Sequence, residues 1–163
     1  MFQLKGREGT LLLLVVLLLW NAIEMSSIYR IFKRKHPLFD DRFTKTMCMA
    51  ITMISSFVLA LYIQLLLPAE QTWLYLLPIL VGLMTGWRFG SIVKAPATLN
   101  GIYNGTMGGM MGMMLGAVLQ NPALCNIPIV SETMIATNMY SLAIFAACLH
   151  ALISQFIRHS FRV

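Results

Sequence analysis

Between Gly101 and Gly116 the chain reads GIYNGTMGGMMGMMLG, which holds six of its 11 glycines. Wound at about 100° per residue, Gly101, Gly105, Gly108, Gly109, Gly112 and Gly116 share one arc of roughly 100°. Met107, Met110, Met111, Met113 and Met114 cover the other side. In water each glycine costs a helix about 1 kcal/mol relative to alanine. In a bilayer the backbone has to satisfy its own hydrogen bonds, so helix is nearly forced. A one-sided strip of small residues then lets a second backbone approach closely. The segment therefore predicts a membrane helix with a tight helix contact.

Composition agrees. Charged residues make up 11% of the 163 residues and hydrophobic ones 58%, with mean hydropathy +0.76. A soluble domain carries about 25% charged residues. A bilayer crossing needs about 20 apolar residues. The expected fold class is an all-α, polytopic transmembrane helical bundle: one integral membrane domain over residues 1–163, with about five spans. They run from Thr10 to Tyr29, Thr46 to Leu67, Thr72 to Trp87, Gly101 to Leu119 and Ser131 to Ile157. Pro68 ends the second and Asn121-Pro122 the fourth, and Pro78 is expected to kink the third. A four-span arrangement with a re-entrant third segment is the rival, because that segment is short and holds Pro78. Lys5 and Arg7 ahead of Leu11–Leu19 imitate a signal peptide, but no small-x-small site follows in Trp20–Met25, so a retained first helix is expected.

The net charge of +6 is concentrated. Arg30, Lys33, Arg34, Lys35, Arg42 and Lys45 lie in one loop, Arg88 and Lys94 in another, and Arg158 and Arg162 in the tail. The alternate loops carry Glu70 and Glu132 and no Lys or Arg. By the positive-inside rule the C-terminus is cytoplasmic and the N-terminus outside, with Lys5 and Arg7 as exceptions. Trp73 and Tyr75 at one end of span three and Trp87 at the other fit two interfacial belts. Because the basic run sits between apolar spans, its expected partner is the anionic face of a lipid bilayer and not nucleic acid. A multi-pass protein of a plasma membrane is expected, bacterial by its compactness. Cys48, Cys125 and Cys148 form no CxxC and are odd in number, so no disulfide framework is expected.

Small residues recur on other spans. Gly82, Gly86 and Gly90 are spaced by four, so spans three and four are expected to form a close antiparallel hairpin. Ala143, Ala146, Ala147, Ala151 and Ser154 share a face of span five, and Cys48, Thr52, Ser55 and Ser56 a face of span two. Such faces suit internal packing, a homo-oligomer or a partner membrane protein equally.

Ionisable residues inside a bilayer are functional candidates by default. Glu24, with Asn21 and Ser27 nearby, is the first; interfacial pairing with Arg30 or the basic loop is its plainer explanation. His150, on the small-residue face, is the second; a neutral histidine bonded to a hydroxyl or carbonyl is the plainer one. Asn104, beside Tyr103, is the third. The five-span topology puts all three with Cys48 and Thr52 in the cytoplasmic third of the bilayer, a layer able to bind a cation or relay protons. Met47, Cys48, Met49, Met107 and Met111, with His150, also form a soft set suited to Cu(I). Methionine is equally a flexible filler beside glycine. No HExxH, phosphate-cradling loop or nucleophile–base frame is present, so enzyme activity is not expected, and no cofactor beyond copper is suggested. The expected function is a transport-type module: a small channel, carrier or carrier subunit. The alternatives are an assembly factor docking a partner through its glycine faces, and a Cu(I)-handling protein.

Overall fold

The computed structural model describes residues 2–35, 41–68, 72–93, 95–125 and 132–161. Five helices account for nearly all of them: α1 (Phe2–Lys35), α2 (Asp41–Leu66), α3 (Leu76–Gly90), α4 (Ala95–Gln120) and α5 (Glu132–Ser160), with 3-10 turns at Thr72–Tyr75 and Pro122–Cys125. Among the described residues, three helices are long and apolar enough to cross a membrane: Leu11–Lys35, Arg42–Leu66 and Met134–Ser160. The chain is thus an all-helical membrane-type protein. Glu70, Lys94 and Arg162 of the charge pattern lie outside the described residues, as do the side chains of Lys5, Arg7 and Glu132.

The helices overrun the expected spans because a helix does not stop where the hydrocarbon does. α1 continues to Lys35 and α2 begins at Asp41, so most of the basic loop is helix end. α4 begins at Ala95, which shortens the α3–α4 connection to residues 91–94. Pro78 does not interrupt α3. It stands in the first turn, where a missing N–H costs no intrahelical bond.

Contacts fix the helix directions. Tyr62 Oη donates to Ala143 O (2.8 Å), and Ser55 Oγ meets His150 Nε2 (3.1 Å). Seven residues on along α2 correspond to seven residues back along α5, so the two are antiparallel. Lys35 Nζ donates to Phe161 O (2.6 Å), and Phe32 stacks edge-on against Phe161 (5.2 Å between centroids), so α1 and α5 end together. Phe89 of α3 meets Tyr29 at 5.5 Å, which brings the C-terminal end of α3 there as well. Arg30, Lys33, Arg34, Arg42 and Arg88 are exposed at this basic end.

The glycines are buried between α2, α3 and α4. A Cβ on Gly82 would lie 2.5 Å from Gly105 O and 2.9 Å from Gly109 Cα, and one on Gly86 2.8 Å from the Gly101 carbonyl carbon. α3 and α4 are therefore antiparallel with their backbones in contact. Gly108 faces Met53 and Ser56, Gly112 faces Phe57 and Ala60, and Gly116 faces Gln64, so α4 runs parallel to α2. At the far end Gln120 Nε2 donates to Gln64 O (2.9 Å) and Leu67 O (3.0 Å), tying the last turns of both.

Two apolar clusters form the core. One joins Leu14, Val58, Leu61, Tyr62, Leu65, Leu119, Ala143 and Ala146. The other, at the basic end, joins Ile28, Phe32, Cys48, Ile51, Phe89, Ile157 and Phe161.

Candidate functional site

Between these clusters, α1, α2 and α5 enclose a polar layer. On α1, Asn21 and Glu24 fall between Leu14 and Ile28; on α2, Thr52 and Ser55 fall between Ile51 and Val58; on α5, His150 and Ser154 fall between Ala146 and Ile157. The helical repeat produces this. Positions 146, 150, 154 and 157 stay on one face of α5 because they are three or four residues apart.

Glu24 forms an ion pair with the Arg158 guanidinium. The two side chains are 16% and 26% exposed, so the pair is largely withdrawn from solvent. Arg158 lies beyond Ile157, yet side chains on a helix tilt toward its N-terminus, which carries the guanidinium back into the layer. Arg30 is not the partner: six residues turn the helix by about 240°, and Arg30 is exposed on another face.

His150 is 1% exposed and meets Ser55 through Nε2. Among the described residues, His150 Nδ1, Ser154 Oγ, Asn21 Oδ1 and Arg158 Nε are buried without a hydrogen-bond partner. Asn21 Nδ2 bonds back to Leu17 O (2.8 Å), and Thr52 Oγ1 donates to Cys48 O (2.6 Å). Buried polar atoms of native proteins are nearly always paired, so four orphans in one layer mark a place for water or a small polar guest. A groove of about 410 Å³, lined by Leu152, Gln155, Phe156, Arg158 and His159, lies on the outer face of α5.

Glu24 and His150 thus share the α1–α2–α5 interface, each bound to a different residue. Asn104 stands apart. It belongs to α4, and its Nδ2 donates to Asn100 O of its own helix (2.8 Å). In the sequence Arg158 stands out only as a tail charge. The signal that recovers it is the four-residue spacing from His150 through Ser154.

The sulfur set is not gathered. Cys48 is buried with Sγ 3.9 Å from Thr52 Oγ1, Met47 and Met49 are half-buried on either side of it, and Met111 is exposed. Gly108 faces Met53 and Ser56, which puts Met107 about 10 Å further along the bundle than Cys48. Among the described residues no three His, Cys, Asp or Glu side chains are grouped to hold a metal ion.

No protein-family model, curated protein or solved structure matches this chain.

Proposed function

We propose that the chain is a transport-type membrane module whose translocation layer is the polar seam between α1, α2 and α5. The observation that supports this most is that seam itself: an ion pair, a buried histidine and four unpartnered polar atoms held between two apolar clusters. Such groups are costly at membrane depth and are otherwise replaced by apolar side chains. In this reading all five helices cross the bilayer, the basic end faces the cytoplasm of a bacterial cell, and the C-terminus lies there. The glycine faces of α3 and α4 act as packing surfaces that lock the α2–α3–α4 unit, leaving α1 and α5 as the elements that line the seam with α2. In this reading the module works as an oligomer, because five short helices enclose little volume.

The test is ion flux from proteoliposomes. Glu24→Gln and His150→Ala are expected to abolish wild-type flux while both variants insert at normal levels. Unchanged flux in both rejects the assignment.

A further inference from the structure

We infer that the seam along α5 is a proton path, with Glu24–Arg158 at its mouth and the His150–Ser55 pair as its inner relay. This rests on the transport reading and names the transported species. Arg158, Ser154 and His150 stand at four-residue intervals, about 6 Å apart along the helix. Each leaves one polar atom without a partner: Nε, Oγ and Nδ1. One water accepting from one side chain and donating to the next spans about 5.6 Å, the same scale as the rise between successive groups. The Arg158 side chain is 26% exposed, so the path reaches the surface at the ion pair itself.

The donor set favours a proton over a metal cation. A hard cation needs a shell of oxygens. Here the oxygens of Asn21, Ser55 and Ser154 alternate with the nitrogens of His150 and Arg158. A guanidinium repels a cation, but once paired with Glu24 it does not oppose a proton passed along hydrogen bonds. An imidazole both donates and accepts. A proton arriving at one ring nitrogen of His150 releases the proton on the other, and Ser55 Oγ lies 3.1 Å from Nε2 to take part in that exchange. Among the described residues, the other titratable side chains packed into these helices lie away from the path, Lys35 among them, held by Phe161 O at the basic end. Cys48 is about 10 Å along α2 from Ser55, Tyr62 has its hydroxyl held by Ala143 O, and Tyr29 packs on Phe89 at the basic end. Cys148 is exposed. Beyond His150 the path meets Leu14, Val58, Leu61 and Leu65, an apolar plug that opens for a proton to complete the crossing.

The test uses the full-length protein in vesicles of bacterial polar lipid loaded with a pH-sensitive dye, with potassium and valinomycin setting the potential and labelled sodium uptake measured in parallel. Wild type is expected to acidify the lumen at least tenfold faster than empty vesicles. His150→Ala is expected to fall to the empty-vesicle rate, and Ser55→Ala to slow acidification several-fold. His150→Gln keeps a polar group beside Ser55 but cannot relay a proton, so it is expected to be folded, by its melting temperature, and inactive. Proton flux in a folded His150→Gln variant equal to wild type overturns the inference. Sodium uptake without proton flux overturns it and leaves the transport reading standing. Neither ion moving through inserted, folded protein overturns the inference, and loss of flux for every other solute tested would be needed to remove the transport reading too.

Discussion

At the scale of single residues, the seam is held by partners that come from far along the chain. Glu24 and Arg158 are 134 positions apart, and Ser55 and His150 are 95 apart. Removing one member of a largely buried ion pair leaves the other charge exposed to a poor solvent, so the damage is mostly the orphan's desolvation. Removing both relieves it. Glu24→Gln and Arg158→Gln are therefore each expected to lower the melting temperature in detergent, and the double variant to lose less than the two losses added, with a coupling of about 0.5–3 kcal/mol. Strictly additive losses would mean the pair contributes nothing to the fold. The same physics explains what could be read beforehand. Glu24 and His150 are conspicuous in sequence because ionisable groups in apolar runs are rare. Arg158 is not, since its position marks it as a terminal charge and only the backward tilt of the side chain returns it to the layer. Asn104 is also polar in an apolar run, but back-bonding to Asn100 O satisfies its amide without any tertiary contact.

At the scale of elements, hydropathy alone finds α1, α2 and α5, the three helices apolar enough to qualify as spans. α4 is long enough but diluted by glycine, so it is legible only through the one-sided arc of Gly101 to Gly116. That arc has two halves that sequence cannot separate. Gly101 and Gly105 meet α3, while Gly108, Gly112 and Gly116 meet α2. Helix ends were the least legible, because polar flanks continue a helix beyond the hydrocarbon and carry no hydropathy signal. The α3–α4 contact is backbone against backbone, so a new side chain has no flexible neighbour to displace. Gly86→Leu is expected to destabilise by at least the 1–3 kcal/mol typical of overpacking, about the scale that unfolds a marginal helix pair. Gly9 supplies the control, because a Cβ added there meets nothing within 4 Å. Gly9→Ala is expected to melt at or slightly above the wild-type temperature, since it only replaces a weak helix former by a strong one. Thermal unfolding in detergent reads both, and equal melting of Gly86→Leu and wild type would mean that the close α3–α4 approach is not needed for the fold.

At the scale of the whole molecule, the topology turns on whether α3 crosses the bilayer or turns back. α3 has 15 residues, about 22 Å of helix, which by itself falls short of the hydrocarbon thickness of about 30 Å. The preceding 3-10 turn at Thr72–Tyr75 adds about 8 Å, which makes up the difference. Its two ends lie at different depths. Pro78 and Ile79 in its first turn meet Gly109, just past the middle of α4, whereas Phe89 packs with Tyr29 and Phe32 among the basic helix ends. A re-entrant segment would return the chain to the side it came from, whereas α3 runs antiparallel to α4 and ends among the basic helix ends. The two topologies place the C-terminus on opposite faces of the membrane, because one crossing more or less reverses everything after it. With five crossings and the basic end inward, a fluorescent protein fused after Val163 folds in the cytoplasm and glows, and a periplasmic phosphatase fused there is inactive. A reporter inserted between residues 68 and 72 gives the reverse pattern. An active phosphatase after Val163, with the insertion at 68–72 also phosphatase-positive, would select four crossings and overturn this fold, in which α1 and α5 end together and Glu24 pairs with Arg158.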